Sequence, residues 1–408
     1  MNASSSSHFQ VRIKNRNYPL PGQLHELSKK LDANGDGTLQ DAELKSHVLG
    51  DKVSLNSYEG RDLIQEYKCK LAEAPNPNAQ GYHSYVQMER ELDKAVQDHP
   101  DLVKKVSLGK SAEGRDIWAL KVTGDVHSDT SHKSGIVVTG CHHAREWMTV
   151  EAPLQLINDI TDNADTPENQ RRLAESELWI VPIANPDGYE FSRNENSWWR
   201  KNRRPLGVDQ NGAKTSAIGV DLNRNYWDGK DEHLFVYRPA GDTPGNTRDD
   251  FSATSDSPGR DTYRGPYGGS EPEVKALLDF ELSHSNIKGV LDYHSYGDTI
   301  LYPYGHTRET SPNVKLYREI GAKMQEASSG FSLQQSVGLY PASGTSDDTH
   351  DLNGILNFTI EMGRSFQPNP RTIPETSGRV SKASQAFIDE IIARDDASEL
   401  PKHSLELA

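Results

Sequence analysis

The chain has 408 residues and a formal net charge of -15 at pH 7, with 45 Lys and Arg against 60 Asp and Glu. This acidic balance argues against the basic surface typical of nucleic-acid-binding proteins, and we expect no nucleic-acid partner. No apolar run approaches the ~20 residues of a membrane span, so no membrane partner is expected either. Two cysteines exclude a disulfide-rich scaffold and leave one bridge, between Cys69 and Cys141, open.

The first 21 residues are polar, and we expect a loosely ordered segment over 1–21. The opening residues, Met1 to Ser7, lack the basic and then apolar stretches of a secretory signal. Three explanations stay open: the protein remains in the cytoplasm, its leader is absent from this sequence, or it leaves the cell by another route.

Residues 22–75 are predicted to form a small helical module around one loop, Asp32–Glu43, that matches the EF-hand calcium-binding loop. Gly37 occupies the position that needs a sharp turn. The calcium-binding oxygens are expected from Asp32, Asn34, Asp36, the carbonyl of Thr38, Gln40 and the two carboxylate oxygens of Glu43. The sequence therefore predicts a Ca²⁺ site, and the alternative is an acidic turn that binds no metal.

A Pro- and Asn-rich linker over 76–81 separates this module from a large domain over 82–395, which a polar tail over 396–408 follows. In the large domain, predicted strands alternate with predicted helices, which indicates an α/β layer structure with a largely buried sheet. The strands are predicted over Leu102–Ser107, Ile117–Val122, Ile136–Thr139, Leu178–Ile183, Lys288–Tyr293 and Ile355–Glu361. The helices are predicted over Tyr85–His99, Thr149–Ile160, Ser311–Ser328 and Ser381–Arg394. A long surface excursion rich in Gly, Asp, Thr, Ser and Pro is expected over 228–262.

His143 and Glu146 follow the apolar run Gly135–Gly140, which is typical of a buried strand. A His and a Glu three residues apart beside a strand end can direct both side chains at one point. Imidazole and carboxylate are common zinc ligands, and a catalytic zinc ion usually takes three protein ligands. The pair therefore indicates two of the three protein ligands of a zinc site. The alternative is a surface His beside a helix-capping Glu.

Further motifs follow in a fixed order along the chain. They are Pro182–Tyr189, Trp199-Arg200-Lys201, Gly219–Asn225, Asp292–Tyr296, Leu301–Gly305, Tyr340–Asp348 and Asn357–Glu361. In this order the set resembles the M14 zinc carboxypeptidases, the family of the pancreatic carboxypeptidases A and B, from about Tyr82 to about Ile392. The resemblance implies a mixed, mostly parallel twisted central sheet with helices on both faces, here preceded by the EF-hand module. It also favours a secreted protein.

The resemblance assigns His143, Glu146 and His294 as the ligands of one catalytic Zn²⁺ ion. It makes Glu361 the general base and Arg200 the group that polarises the scissile carbonyl. The implied substrate-binding residues are Asn223 and Arg224 for the terminal carboxylate, the mobile Tyr340, and Asp347, Ser295 and Tyr296. The implied reaction is hydrolysis of the C-terminal peptide bond of peptides and proteins.

Specificity is expected to depend on the pocket for the terminal side chain. The resemblance matches its lining to Leu301, Gly305, Leu339, Ala342, Asp347 and Thr359. Basic-preferring members of the family place an Asp where Asp347 stands, so we expect a preference for C-terminal Lys or Arg. Two alternatives stay open: an amidase of the same fold that trims cell-wall peptides, and a non-catalytic calcium-binding protein on this scaffold. We also expect that calcium binding modulates the enzyme.

Overall fold

The computed structural model describes residues 10–13, 16–19, 32, 34–39, 79–207, 214–228 and 254–404. The chain divides into two compact units, Met1–Gln80 and Gly81–Ala408. In the first unit, strands β1 (Gln10–Ile13) and β2 (Arg16–Pro19) pair in antiparallel fashion, and β1 pairs in parallel with β3 (Thr38–Leu39).

The expectation of loose order over 1–21 is therefore wrong for the described residues 10–13 and 16–19. Val11, Ile13 and Tyr18 have the high β-propensity that favours a strand pair over a disordered segment. Most of the predicted helical module over 22–75 lies outside the described residues. Within it, the structure describes residue 32 and residues 34–39.

In the second unit the described residues form one eight-stranded sheet, in the order β10-β9-β11-β8-β6-β7-β5-β4. The strands are β4 (Val103–Lys110), β5 (Asp116–Val122), β6 (Ser134–Gly140), β7 (Ser176–Val181), β8 (Ile287–His294), β9 (Thr299–Tyr302), β10 (Ser332–Gln335) and β11 (Leu356–Glu361). The central strands β11, β8, β6 and β7 run parallel, whereas β9, β5 and β4 introduce antiparallel pairs. The predicted mixed, mostly parallel sheet is confirmed.

Helices cover both faces of this sheet. They are α1 (Tyr85–Asp98), α2 (Met148–Thr161), α3 (Pro167–Glu175), α4 (Pro186–Asn194), α5 (Pro272–Ser283), α6 (Val314–Ser328), α7 (Ser346–Leu352) and α8 (Ile373–Asp396). On one face Val290 of β8 packs in a core cluster with Leu277 of α5. On the other face α8 lies so close to Gly289 that an added Cβ would stand 2.6 Å from the Phe387 ring. Neighbouring residues of β8 thus meet different helices, as the alternation of side chains along a strand requires.

Each strand and helix predicted in the large domain is present with shifted bounds. The last helix begins at Ile373 rather than Ser381, because Pro374 fits a first helical turn, where its missing N–H leaves no hydrogen bond unmade. Six further elements were not predicted from the sequence: α3, α4, α5, α7, β9 and β10. Three of the missed helices begin with a proline, which the sequence alone suggests as a turn as readily as a helix start.

Two further expectations, the surface excursion over 228–262 and the bridge between Cys69 and Cys141, involve residues outside the described ranges. Residues 229–253, the middle of the expected surface excursion, lie outside the described residues. Cys141 is buried and free, while Cys69 lies outside the described residues.

Over the described ranges, no helix combines the length and the apolar character that a membrane crossing requires.

Candidate active site

Three side chains converge where the parallel strands β6 and β8 end. His143 follows β6, Glu146 lies just before α2, and His294 is the last residue of β8. The Nδ1 atoms of His143 and His294 are 3.0 Å apart. The Glu146 carboxylate places Oε1 2.8 Å from the first of these nitrogens and Oε2 3.2 Å from the second. In open parallel sheets, ligand-binding sites usually lie at the carboxyl ends of the strands.

The donor set of these three residues fits zinc. Each offers one ligand atom, these atoms all lie within 4.8 Å of one another, and all three residues are buried. Two imidazole nitrogens and one carboxylate oxygen are the ligand types of a catalytic zinc site that keeps a position open. Among the described residues, this is the group of three or more His, Cys, Asp or Glu side chains that has the geometry to hold a metal ion.

Asp221 links one of these histidines to Arg200. Its Oδ1 lies 3.1 Å from Nε2 of His143, and its Oδ2 accepts a hydrogen bond of 2.8 Å from Nε of Arg200. Burial disfavours the ionised carboxylate, but the positive charges of Arg200 and His143 outweigh it and hold the pKa of Asp221 well below its usual value. A carboxylate on the second ring nitrogen fixes the orientation of a metal-binding histidine.

Asp221 belongs to the motif Gly219–Asn225, but no role was predicted for it from the sequence. The available signal was its place two residues before Asn223, in a chain segment that already supplied two predicted substrate-binding residues. Its partner His143 lies 78 positions away, a pairing that spacing alone does not reveal.

Glu361 ends β11 and is paired in register with His294 of the neighbouring parallel strand. It also lines the cavity beside the three converging side chains. Burial, with the nearby Glu146 charge adding to it, raises the pKa of Glu361 to about 7 despite the opposing charges of His294 and Arg200. A carboxyl group whose pKa is near neutrality is suited to exchange a proton at physiological pH.

Asn223 and Arg224 lie in a short 3-10 turn, Leu222–Arg224, that the Asp221 side chain caps by accepting a 3.1 Å hydrogen bond from the Asn223 N–H. Nδ2 of Asn223 is 3.3 Å from Nε2 of His294. The Arg224 guanidinium carbon lies 5.8 Å from the ring centre of Tyr340. The predicted carboxylate-binding residues and the predicted mobile tyrosine are thus close to the converging ligands.

A cavity of about 370 Å³, its open mouth included, lies next to these groups. It is lined by Asn223, Arg224, Leu301, Gly305, Ser336, Leu339, Tyr340, Ala342, Thr345, Asp347, Thr359 and Glu361. All six residues predicted to form the specificity pocket are in this lining.

Asp347 and Asp348 face different surroundings. Asp347 lines the cavity, where its Oδ2 accepts a 2.6 Å hydrogen bond from the Ser336 hydroxyl. Asp348 instead accepts a 2.8 Å hydrogen bond from the Gly305 N–H and lies 2.7 Å from Nδ1 of His306. Of the two neighbouring carboxylates, it is therefore Asp347 that a bound side chain in the cavity would meet.

Ser295 and Tyr296 follow directly after His294. The Ser295 N–H donates a 3.0 Å hydrogen bond to Oε2 of Glu146, which helps to orient that carboxylate. Tyr296 is 49% exposed and packs edge-on against Phe366, with ring centres 5.0 Å apart.

In the N-terminal unit, the described part of the predicted calcium loop curls around its own side-chain oxygens. Asp32 accepts backbone hydrogen bonds from Gly35 and Gly37, at 2.9 and 2.8 Å. The Thr38 N–H donates to Oδ1 of Asp36, and the Asp36 N–H donates to Oδ1 of Asn34. Glu43 and Gln40, two of the predicted calcium ligands, lie outside the described residues.

Comparison with known proteins adds independent findings. The family model described as zinc carboxypeptidase, Peptidase M14, matches residues 88–381. Carboxypeptidase A4 of Mus musculus is 30% identical over 331 residues, which cover 78% of this chain and 72% of that protein. Carboxypeptidase B2 of Rattus norvegicus is 30% identical over 323 residues, covering 76% of this chain and 70% of that protein. The crystal structure of thrombin activatable fibrinolysis inhibitor superimposes with a TM-score of 0.65 at 26% identity, covering 78% of this chain and 77% of that one.

Proposed function

The chain belongs to the M14 zinc carboxypeptidase family and is a zinc metallocarboxypeptidase; from this premise we propose that it removes the last residue of peptides and proteins and prefers Lys or Arg there. The observation that carries the proposal is the convergence of His143, Glu146 and His294 beside Glu361 and the cavity. Relatives named as A-type and as B-type carboxypeptidases both match, so the preference is argued from the cavity of this chain.

His143, Glu146 and His294 are the residues that would hold the zinc ion. When bound, zinc supplies a Lewis acid that polarises a carbonyl oxygen and lowers the pKa of a coordinated water to about 7. The carboxylate of Asp221 supports this role of His143, because it leaves Nδ1 of the ring directed at the centre.

Glu361 is the proposed general base. It takes a proton from the attacking water and passes it to the nitrogen of the leaving amino acid, a role that its pKa of about 7 suits. Arg200 is proposed to stabilise the oxyanion that forms on the scissile carbonyl. Its hydrogen bond to Asp221 holds the buried guanidinium in place before substrate arrives, so little reorganisation is needed in the transition state.

Asn223 and Arg224 are proposed to bind the terminal carboxylate of the substrate, with Tyr340 closing over it. Arg suits this role because its planar guanidinium binds both carboxylate oxygens at once. An internal peptide bond presents no carboxylate at that place, so the same residues make the enzyme an exopeptidase. The residues after His294, Ser295 and Tyr296, are proposed to contact the substrate upstream of the cleaved bond.

Asp347 supports the preference for Lys and Arg. Asp347 is 4% exposed and lines the cavity, and among the described residues no Lys, Arg or His forms an ion pair with it. A basic substrate side chain would provide the missing positive charge. A neutral one would leave a desolvated carboxylate without a countercharge, which is costly.

A panel of peptides that differ only in their last residue tests this proposal. We expect release of C-terminal Lys and Arg to be fastest, no release from the same peptides with an amidated C-terminus, and loss of activity in a zinc chelator. Fastest release of an apolar residue would overturn the basic preference. Cleavage of a cell-wall muropeptide but of no free C-terminus would favour an amidase instead.

We further propose that the loop Asp32–Glu43 binds Ca²⁺ and modulates the enzyme. Support comes from the ligand pattern and from the tight curvature of the loop, where Gly35 and Gly37 adopt positive φ angles of 72° and 75°. In the full-length protein, calorimetric titration with Ca²⁺ is expected to give binding that Asp36→Ala removes. Asp41→Ala, at a non-ligating position of the same loop, is the matched control, and activity of each variant with and without Ca²⁺ tests the modulation.

A further inference from the structure

We infer that Ser346 and Asp292 are positioning residues for the terminal-carboxylate site and act through Asn223. This inference rests on the proposed role of Asn223 in binding substrate. Neither residue lines the cavity, and both are buried behind it. Their effect is to set which end of the Asn223 amide faces the substrate.

The orientation of the Asn223 amide follows from its partner. Oδ1 lies 3.0 Å from the backbone nitrogen of Ser346. A backbone N–H only donates, so the oxygen end of the amide must face it. The NH₂ end is then directed to the other side, where it stands 3.3 Å from Nε2 of His294. With its acceptor already used, the side chain presents only donors at the cavity, as an anionic carboxylate requires.

Ser346 is well placed for this task because it is the first residue of α7. The N–H groups of a first helical turn have no partner within the helix. The Asn223 oxygen takes up one of them, so the amide and the helix start fix each other. Moving the start of α7 would therefore turn or release the amide.

Asp292 in turn holds Ser346. Its Oδ2 accepts a hydrogen bond from the Ser346 hydroxyl and a second one, of 3.1 Å, from Nδ2 of Asn357. Asp292 belongs to β8 and Asn357 to β11, two adjacent central strands of the sheet. The start of α7 is thus tied through one carboxylate to two paired strands in the middle of the sheet.

The same set of hydrogen bonds continues away from the cavity. Nδ2 of Asn357 also lies 2.8 Å from Nδ1 of His350, and Nε2 of that ring lies 2.8 Å from Oε2 of Glu281 on α5. All these groups are buried. Of these groups, Oδ1 of Asn357 has no hydrogen-bond partner among the described residues, whereas the hydrogen bonds given above hold the other side chains in one arrangement. We conclude that the amide orientation is determined by the protein before any substrate binds.

The test compares two probes on the zinc-loaded full-length enzyme. One is a free C-terminal product amino acid, arginine, which carries the carboxylate. The other is acetohydroxamate, which binds zinc and has no carboxylate. Ser346→Ala and Asp292→Asn are expected to weaken arginine binding about fivefold to tenfold, the effect of about one lost hydrogen bond, with acetohydroxamate binding unchanged. With peptide substrates the same variants should raise KM more than they lower kcat.

Ser384→Ala is the matched control. Ser384 is equally buried and its hydroxyl contacts Tyr293, which lies between Asp292 and His294 on the same strand, but it has no link to Asn223. This variant should bind both probes like the wild type. If Asp292→Asn does not fold, Ser346→Ala decides alone, because it removes a single hydroxyl group.

Equal weakening of both probes, or unchanged arginine binding in Ser346→Ala, would overturn the inference. A wild-type enzyme that cleaves no peptide with a free C-terminus would instead contradict the proposed function. The two failures are therefore separable.

Discussion

The centre formed by His143, Glu146 and His294 and the cavity around Asp347 are neighbours, yet different means hold them in place. In the centre, His143 follows one central strand and His294 ends another. The buried Asp221 also holds the His143 ring. The cavity draws most of its lining from connections and short elements between β9 and β11, and Leu339 is 43% exposed.

This difference explains why the class of reaction and the choice of substrate are separate properties of the fold. The centre depends on several mutually supporting charges, so removal of one partner disturbs the rest. Apart from Glu361, which belongs to the chemistry, the cavity has one carboxylate, that of Asp347, so one substitution there should change the preferred residue and leave the chemistry intact.

Glu361→Gln provides the strongest test of the centre. The amide keeps the shape of the side chain but does not accept the proton of the attacking water, so kcat should fall by about 10²- to 10⁴-fold. Zinc content, measured by metal analysis, should stay that of the wild type. Glu177→Gln is the control, because Glu177 is also buried but lies near the beginning of β7, whereas Glu361 lies at the end of a strand parallel to the same set. Unchanged kcat in Glu361→Gln would remove Glu361 as the base.

Arg200→Met should have the next largest effect, a loss of about 10²- to 10³-fold in kcat with a smaller change in KM. The reason is that the guanidinium acts on charge that develops only in the transition state. Steady-state kinetics on one peptide measure both values. Lys201→Met is the matched control, since the neighbouring ammonium group donates to the Pro258 carbonyl rather than to the centre. A rise confined to KM would assign Arg200 to substrate binding alone.

Asp347→Leu tests the cavity. Without the carboxylate, the ratio of kcat/KM for C-terminal Arg over C-terminal Leu should fall by about 100-fold, because the basic side chain loses its countercharge and the apolar one gains contacts. Asp348→Asn alters the adjacent carboxylate, which bonds to Gly305 and His306, and should leave the ratio nearly unchanged. If both variants shift the ratio equally, the separation of centre and cavity does not hold.

Asp221→Asn should have the smallest effect of the four, a 10- to 100-fold weaker affinity for zinc. The amide no longer offers a full negative charge to His143 and Arg200, so the orientation of both loosens. Competition with a chelator measures the affinity. Asp187→Asn is the control, since Asp187 is a buried carboxylate that pairs with Arg115, at 2.6 Å, outside the centre. Equal zinc affinity in the two variants would contradict the proposed support of His143.

The sequence predicts the alternation of strands and helices well because the apolar runs of the central strands are long and continuous. It predicts His143, Glu146 and His294 as a group through the order of motifs, and the structure brings them together. It misses the role of Asp221 and the link from Asp292 through Ser346 to Asn223. Those contacts join residues far apart in the chain, and no local periodicity encodes which hydroxyl will meet which carboxylate.

The pairing of Glu361 with His294 on adjacent parallel strands has a consequence for how such an enzyme can diversify. The spacing of these two groups is set by main-chain hydrogen bonds of the sheet, which do not depend on side-chain identity. Inserting one residue into β11 would turn the glutamate to the opposite face and end hydrolysis, since side chains alternate along a strand. Insertions in the connections that form the cavity leave this spacing untouched, so new substrate ranges can arise there by small steps while the chemistry persists.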